Sequence, residues 1–231
     1  MKLVLLPGLD GTGELFTPLI NQLDSSIETQ IITYDLNTKQ TYDELTQYVL
    51  SHLPKEEFVL LAESFSGPIA YQVASIRPKE LKSLIIVASF LERPKPSLLK
   101  LLTLIPSKLL TLPLPTFIIR FFFLGFIVKS EIIVLFKMSI KKVSSGVIHF
   151  RLKELLKLRF EDCYKKIHIP TIYIQATNDK LVSSNAFNDW EVVSKNIQLF
   201  QVQGEHFILQ SNPVKCAEII RQVMHAATND K

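Results

Sequence analysis

The stretch around Ser64 has the composition of a turn that presents a nucleophile. An apolar run over 58–62 is typical of a buried strand, and a helix-like pattern carrying Ala70, Val73 and Ala74 follows it. A serine on a sharp strand-to-helix turn needs small residues two positions away on either side, because a bulky side chain would block the close approach of the backbone. Ala62 and Ser66 meet this need, although the usual G-x-S-x-G motif has glycine at both positions. The pattern predicts Ser64 as a nucleophile.

Two other interpretations of this turn stay open on these residues alone. Ser66 is a rival nucleophile, but the residue two positions after it is Pro68, which is stiff and has no N–H. Ser64 could also simply cap the N-terminus of the following helix. The choice among these interpretations depends on residues elsewhere in the chain.

A serine nucleophile needs two partners from distant parts of the chain. Its hydroxyl is weakly nucleophilic at neutral pH unless a histidine takes the proton, and a carboxylate must hold that imidazole in one tautomer. Asp179 follows the apolar run 170–176, and His206 follows the run 197–202. Because loops at the carboxyl ends of parallel strands converge on one crevice, Ser64, Asp179 and His206 can meet there.

Alternatives exist for both partners. Among the five histidines, only His206 follows a predicted strand, so it is preferred as the base. Asp179 could instead cap a turn, and Glu92, which follows another apolar run, is then the substitute acid. Glu63 and Glu205 flank two of these residues and are assigned no role.

The elements that position these residues alternate regularly over most of the chain. Apolar runs cover 2–6, 30–34, 58–62, 84–88, 170–176 and 197–202. Helical spacing appears over 15–23, over 41–53, at Ala70, Val73 and Ala74 before Pro78, and from near Pro213 to His225. Strands separated by helices indicate β-α-β units and a mostly parallel sheet flanked by helices. The predicted fold class is α/β.

A glycine-rich loop, PGLDGTG, follows the first run at 7–13. Its glycine order differs from G-x-G-x-x-G, and it lacks a G-K-[ST] ending, so nucleotide binding is disfavoured. Such a loop can instead aim backbone N–H groups at a developing oxyanion.

The alternation stops between residues 94 and 166. This segment is rich in Leu, Ile and Phe, and we predict that it forms a helical cap inserted into a core made of 1–93 and 167–231. Its part at 117–136 is the nearest approach to a membrane span. Arg120, Lys129 and Glu131 interrupt that part, and charges are costly at the centre of a bilayer, so a transmembrane helix is disfavoured.

The charge of the chain is concentrated in the same segment. Residues 94–166 hold fourteen Lys/Arg against four Asp/Glu, which leaves twelve against eighteen elsewhere. The cap therefore carries about ten excess positive charges and is expected to meet an anionic surface, either lipid headgroups or an acidic acyl-carrier protein. Nucleic acid is not expected, since no recognition motif accompanies the charge.

Two cysteines and a short first strand suggest a location. Cys163 and Cys216 have no C-x-x-C spacing or histidine cluster, so neither a zinc site nor a disulfide framework is expected. The apolar run at 3–6 is too short for the core of a signal peptide. We expect a cytoplasmic protein, with peripheral membrane association through the cap.

Four loops together resemble those of the α/β-hydrolases, in the family's order and over nearly the whole chain. The loop at 7–11 (PGLDG) is similar to the oxyanion loop, 62–67 (AESFSG) to the nucleophile elbow, 176–182 (ATNDKLV) to the acid loop and 204–206 (GEH) to the histidine loop. The family's two leading antiparallel strands have no counterpart in this sequence.

The resemblance implies roles for five residues. Ser64 would be the nucleophile, Asp179 the acid and His206 the base, and the backbone N–H groups of Leu9 and Phe65 would form the oxyanion hole. The implied reaction is cleavage of a carboxylic ester or thioester through an acyl-enzyme on Ser64, with no metal or organic cofactor.

The apolar cap favours a small-molecule substrate with an acyl chain. Three alternatives stay open: an acyltransferase, an esterase directed at an acyl-carrier protein, as the pimeloyl methyl ester esterase of this superfamily is, and a non-catalytic protein of the same fold that binds an apolar ligand.

Overall fold

Six strands form a single sheet in the computed structural model, which describes residues 1–94, 103–104, 106, 115–163 and 165–229. The strands are β1 (Lys2–Leu6), β2 (Glu28–Ile31), β3 (Phe58–Glu63), β4 (Leu81–Val87), β5 (Thr171–Ala176) and β6 (Ile197–Val202). Their order across the sheet is β2-β1-β3-β4-β5-β6, and each neighbouring pair is parallel. The predicted α/β class with a mostly parallel sheet is confirmed.

The described helices lie between the strands along the chain, except the last two, which follow β6. They are α1 (Thr17–Ile20), α2 (Tyr42–His52), α3 (Gly67–Ile76), α4 (Thr116–Ile119), α5 (Ser130–Lys142), α6 (Ser145–Lys157), α7 (Ala186–Val193), α8 (Ile208–Ser211) and α9 (Pro213–Asn229). Single turns of 3₁₀-helix cover Glu14–Phe16, Ser64–Ser66 and Phe160–Asp162, and a π-helical turn covers Arg120–Leu124.

Apolar side chains cover both faces of the sheet. All six residues of β3 are buried, as expected for a central parallel strand whose sequence is a continuous apolar run. Alternate residues point to opposite faces, so one cluster includes Leu60 with α2, α3 and α7, and the other includes Leu61 with α1 and α9. The carboxyl ends of the strands are thereby held rigidly at one edge.

β4 begins at Leu81 and not at residue 84, and α9 ends at Asn229 and not at His225. Two other predicted elements differ more strongly from the structure. β2 covers 28–31 instead of 30–34, because the chain after it leaves the edge of the sheet and the Tyr34 N–H donates to the C=O of Gly11. The predicted helix over 15–23 is a 3₁₀ turn followed by the four residues of α1. Both differences lie next to the loop at 7–13.

The described part of the predicted cap is helical. It contains α4, the π-helical turn, α5 and α6, whereas 95–102, 105, 107–114 and 164 lie outside the described residues. Lys142 at the end of α5 forms an ion pair with Glu14, so the segment contacts the core near the loop at 7–13. Within the described ranges, no helix has the length and apolar character needed to cross a membrane. The division into core and cap stays a prediction.

Candidate active site

Ser64 stands on a sharp turn between β3 and α3. Its φ is 49°, in the left-handed region that residues with a Cβ rarely adopt and that is often found at functional sites. The Ser89 hydroxyl donates to the C=O of Ser64, and a Cβ at Gly67 would overlap that hydroxyl. Gly67 therefore allows the close packing that holds the turn, and the Ser64 side chain stays partly exposed at the strand end.

Ser64, His206 and Asp179 form a continuous chain of hydrogen bonds. Ser64 Oγ lies 2.8 Å from His206 Nε2, and His206 Nδ1 lies 2.7 Å from Asp179 Oδ2. The three side chains come from loops after β3, β6 and β5, as the parallel sheet predicts. This arrangement can move a proton from the serine hydroxyl to the imidazole.

The carboxylate of Asp179 is held in place by its own loop. Its Oδ1 accepts from the backbone N–H groups of Leu181 at 2.8 Å and Val182 at 2.9 Å, so Oδ2 is directed at His206. The hydrogen bond to Nδ1 fixes the imidazole orientation, which leaves Nε2 facing Ser64. The loop after β5 therefore sets the orientation of the His206 imidazole.

The electrostatics of the pair favour a charged imidazole. Burial alone would raise the pKa of Asp179, but the charge of His206, its hydrogen bond and the two backbone N–H groups hold the pKa below its ordinary value. Burial alone would lower the pKa of His206, but the charge and hydrogen bond of Asp179, with a smaller contribution from Glu63, raise it above its ordinary value. His206 is thus suited to accept a proton.

The loop at 7–11 lies against Ser64. A Cβ built on Gly8 would be 3.9 Å from Ser64 Cβ, so the backbone of the loop approaches the nucleophile closely. The Gly11 N–H donates to the C=O of Gly8 at 3.1 Å, and because the C=O and N–H of a trans peptide point in opposite directions, this bond also fixes the direction of the Leu9 N–H. Phe65 is the second residue of the Ser64–Ser66 turn, a position where backbone N–H groups lack an intrahelical partner.

The rival residues are placed away from this chemistry. Ser66 is fully buried, donates to the C=O of Pro7, and lies 2.5 Å from the hydroxyl of Tyr34. Glu92 is exposed and lies near Asp189 rather than His206. Ser66 therefore joins the Ser64–Ser66 turn to the loop at 7–11, and Asp179 is the carboxylate in contact with His206.

Arg151 makes contacts with the loop at 7–11 that the sequence did not indicate. Its side chain on α6 is 1% exposed, and Nη1 donates to the C=O groups of Leu9 at 2.8 Å and Asp10 at 2.9 Å. Nη2 donates to the C=O of Asp35 at 2.9 Å. In the sequence Arg151 is one of many basic residues of an amphipathic segment, and nothing there distinguishes it from Lys153. The structure shows that this residue fastens the loop at 7–11.

Glu63, next to Ser64, is a second residue whose burial the sequence did not indicate. It is 1% exposed, and its Oε1 accepts from Gln210 Nε2 at 3.0 Å. Burial raises its pKa to about 7, although the bond from Gln210 opposes the shift. A buried carboxyl is unusual, but a single glutamate beside a serine carries no sequence signal for burial.

The part of the chain that the structure describes contains no group of three or more histidine, cysteine, aspartate or glutamate side chains placed to hold a metal ion.

Comparison with known proteins places the chain in a family. The sequence pattern of the alpha/beta hydrolase fold matches residues 2–213. A search of curated proteins found no match.

Many solved structures share the fold. A hydrolase from Oleispira antarctica superposes with a TM-score of 0.79 at 14% identity, covering 99% of this chain and 91% of the other. A lipase-esterase related protein from Clostridium acetobutylicum gives 0.75 at 17% identity, with 96% and 93% covered. A bacterial membrane phospholipase A gives 0.79 at 13% identity, with 99% and 79% covered.

Identities this low show the fold alone, whereas the family pattern covers most of the chain. The fold does not determine the chemistry of the site, which depends on the residues themselves. On the family pattern, the chain belongs to the α/β-hydrolases.

Proposed function

We propose that this hydrolase cleaves carboxylic ester or thioester bonds through an acyl-enzyme on Ser64. The observation that carries the proposal is the hydrogen-bonded series from Ser64 Oγ through His206 to Asp179, with distances of 2.8 and 2.7 Å. Both lie within the range in which a proton passes directly between heavy atoms. The partly exposed Ser64 is open to a substrate carbonyl.

The proposed reaction has two halves. His206 Nε2 takes the hydroxyl proton as Ser64 Oγ attacks the carbonyl carbon, and the Asp179 carboxylate stabilises the imidazolium. The backbone N–H groups of Leu9 and Phe65 donate to the oxyanion. His206 then protonates the departing alcohol or thiol, and a water molecule, activated by the same imidazole, releases the acid and regenerates Ser64.

An apolar acyl chain is the favoured substrate group. The ring of Phe207 lies 5.3 Å from that of His206, and it packs on Phe123 and Phe136, each at 5.6 Å. Phe207 and Phe136 are buried and Phe123 is partly exposed, so Phe123 is the ring of this group that offers apolar contact surface to a hydrocarbon chain. The fold shared with a lipase-esterase related protein and a membrane phospholipase A supports ester hydrolysis in general.

A fluorophosphonate probe tests the nucleophile, because it reacts with a serine only when a base activates it. We expect covalent labelling of the wild type and its complete loss in Ser64→Ala. Ser184→Ala, which changes an exposed serine, should label at the wild-type rate. Ser66→Ala should also label, at a reduced rate if the bond to Pro7 supports the loop.

Circular dichroism should show that each variant is folded. Labelling that persists in Ser64→Ala, or a folded wild type that does not label, would reject the proposal. A series of acyl esters and acyl thioesters of increasing chain length then separates esterase from thioesterase. Product analysis with an added alcohol acceptor shows whether acyl transfer competes with hydrolysis.

A further inference from the structure

The described part of the predicted cap has an unusually apolar exterior. Six side chains that are between 44% and 101% exposed, here named the apolar surface, are Phe117, Phe121, Phe126, Ile127, Val134 and Met138. Every exposed phenylalanine among the described residues belongs to this set. Proteins rarely expose large apolar side chains in groups unless the group meets a partner or a membrane.

The six residues belong to neighbouring elements. Phe117 and Phe121 are four positions apart along α4 and the π-helical turn, and Val134 and Met138 have the same spacing on α5, so each pair shares a helix face. Lys137, between the second pair, donates to Thr116 Oγ1 at 2.9 Å and so brings α5 beside the start of α4. Phe126 and Ile127 occupy the turn that joins the two elements.

Basic side chains accompany the apolar surface. Residues 116–142 contain five Lys/Arg and one Asp/Glu. Lys129 and Lys141 are exposed, one just after the turn and the other in the last turn of α5. Lysine and arginine side chains near an anionic bilayer strengthen binding through attraction to the lipid headgroups. The combination of apolar and cationic groups is that of a segment lying in a bilayer interface.

We propose that the apolar surface docks on an anionic phospholipid bilayer, with Phe117, Phe126 and Ile127 entering the interfacial region. A bilayer is favoured over a protein partner because the side chains protrude, the Ile127 side chain being fully exposed, and lipid accepts protruding groups without a complementary pocket. The inference goes beyond the proposed function, since docking does not require that Ser64 react.

The apolar surface is connected directly to the candidate active site. Phe207 follows His206 in the chain, and its N–H donates to the C=O of Phe123 at 2.8 Å. Lys180, next to Asp179, donates to the C=O of Phe121 at 2.8 Å and lies 3.8 Å from the centre of the Phe121 ring. Docking would therefore hold the acid and histidine loops close to the lipid.

A further contact comes from Gly125, whose φ of 83° suits glycine. A Cβ there would overlap the carboxylate of Glu205, so the turn before Phe126 packs tightly on the histidine loop. The apolar surface is thus fixed relative to the site and does not hang from a loose loop.

Vesicle co-sedimentation tests the proposal with the full chain. We expect binding to phosphatidylcholine vesicles containing phosphatidylglycerol, weaker binding to phosphatidylcholine alone, and a decrease as salt is added. The double variant Phe126→Ser/Ile127→Ser should lower the partition coefficient at least tenfold. The matched control Ile76→Ser/Val214→Ser removes side chains that are 54% and 53% exposed elsewhere and should bind as the wild type does.

Two outcomes would overturn the proposal. One is a folded wild type that does not bind phosphatidylglycerol vesicles at low salt, including the case in which it binds a purified acidic acyl-carrier protein instead. The other is equal loss of binding in the two double variants. Hydrolysis of a water-soluble short-chain ester should stay at the wild-type rate in Phe126→Ser/Ile127→Ser, and Ser64→Ala should still bind vesicles, so failure of one proposal is distinguishable from failure of the other.

Discussion

At the scale of single residues, the proposed chemistry depends on the proton of His206. The imidazole acts as a base only when neutral, and Asp179 raises its pKa above the ordinary value despite burial. Activity should therefore rise with pH through a value above 6.5, the ordinary pKa of histidine. The Asp179 carboxylate therefore makes the His206 imidazole a stronger base and also narrows the pH range in which that imidazole is neutral.

Replacing Asp179 separates these two effects. In Asp179→Asn the charge that raises the pKa of His206 is gone, so the acidic limb of the kcat/KM profile should move to lower pH. The amide also no longer stabilises the imidazolium and can favour the wrong tautomer, so kcat should fall by roughly 10⁴-fold. Both effects are measured with one ester substrate between pH 5 and pH 9.

The control for this variant is Asp162→Asn, which changes an exposed aspartate. Its profile should match the wild type in height and position. A profile for Asp179→Asn with an unmoved acidic limb would show that another group controls the pH dependence.

The residues of the site differ in how far the sequence could predict them. Ser64, Asp179 and His206 each follow an apolar run, and parallel topology brings strand ends together, so their meeting was predictable. Arg151 and Glu63 were not, because their roles come from contacts with Leu9 and Gln210, which lie more than 140 positions away. A residue type alone does not encode such a pairing.

At the scale of elements, the feature that distinguishes this site is the link between α6 and the loop at 7–11. Arg151 reaches from α6 to the C=O groups of Leu9 and Asp10, and a Cβ at Gly11 would lie 2.7 Å from Nη1. The guanidinium lies almost fully buried among these acceptors. We infer that Arg151 is a positioning residue, which acts on the reaction through the Leu9 N–H.

Removal of the guanidinium tests this inference. Arg151→Ala should lower kcat by at least tenfold with a smaller change in KM, because a loosened loop weakens donation to the oxyanion more than binding of the substrate. Added guanidinium ion should restore part of the rate by occupying the space left in the variant. Loss of an entire oxyanion donor, typically 10²–10³-fold, sets the upper limit of the effect.

Lys153→Ala on the same helix is the matched control, because that side chain is exposed. It should leave kcat and KM unchanged. If Arg151→Ala is folded and its loss is confined to KM, or if guanidinium ion has no effect on its rate, Arg151 serves the packing of α6 and not the orientation of the loop.

The elements themselves were predicted best where the chain is buried. All six strands were found, since a continuous apolar run has few other uses in a chain of this composition. β2 was misplaced because it is an edge strand, half exposed, and its end is set by the bond from Tyr34 to Gly11. Local composition does not record a hydrogen bond to a loop more than twenty residues earlier.

At the scale of the whole molecule, two buried carboxyl groups beside the site oppose folding when they ionise. Asp10, Glu63 and Asp179 are buried carboxyl groups near the carboxyl ends of the strands. Burial raises the pKa of Asp10 and of Glu63, so their ionisation opposes folding. Asp179 differs, because its partners hold its pKa below the ordinary value.

For Glu63 the effect of ionisation on the free energy of unfolding can be measured. Its folded pKa of about 7 lies above the ordinary value of 4.5, so its contribution to stability is fully present below pH 4.5 and is lost as the pH rises through 7. Glu63→Gln keeps an oxygen that accepts from Gln210 but cannot ionise. Its free energy of unfolding should therefore exceed that of the wild type by about 3 kcal/mol at pH 8, and by much less at pH 5.

Urea unfolding at the two pH values measures this difference, and Glu161→Gln, at an exposed position, should show none. A gain for Glu63→Gln that is equal at pH 5 and pH 8 would mean that packing, and not ionisation, separates the two side chains. A loss at both pH values would mean that the carboxylate is stabilised by its surroundings. The expected increase with pH would show that this fold carries an ionisable group beside its nucleophile at the expense of stability.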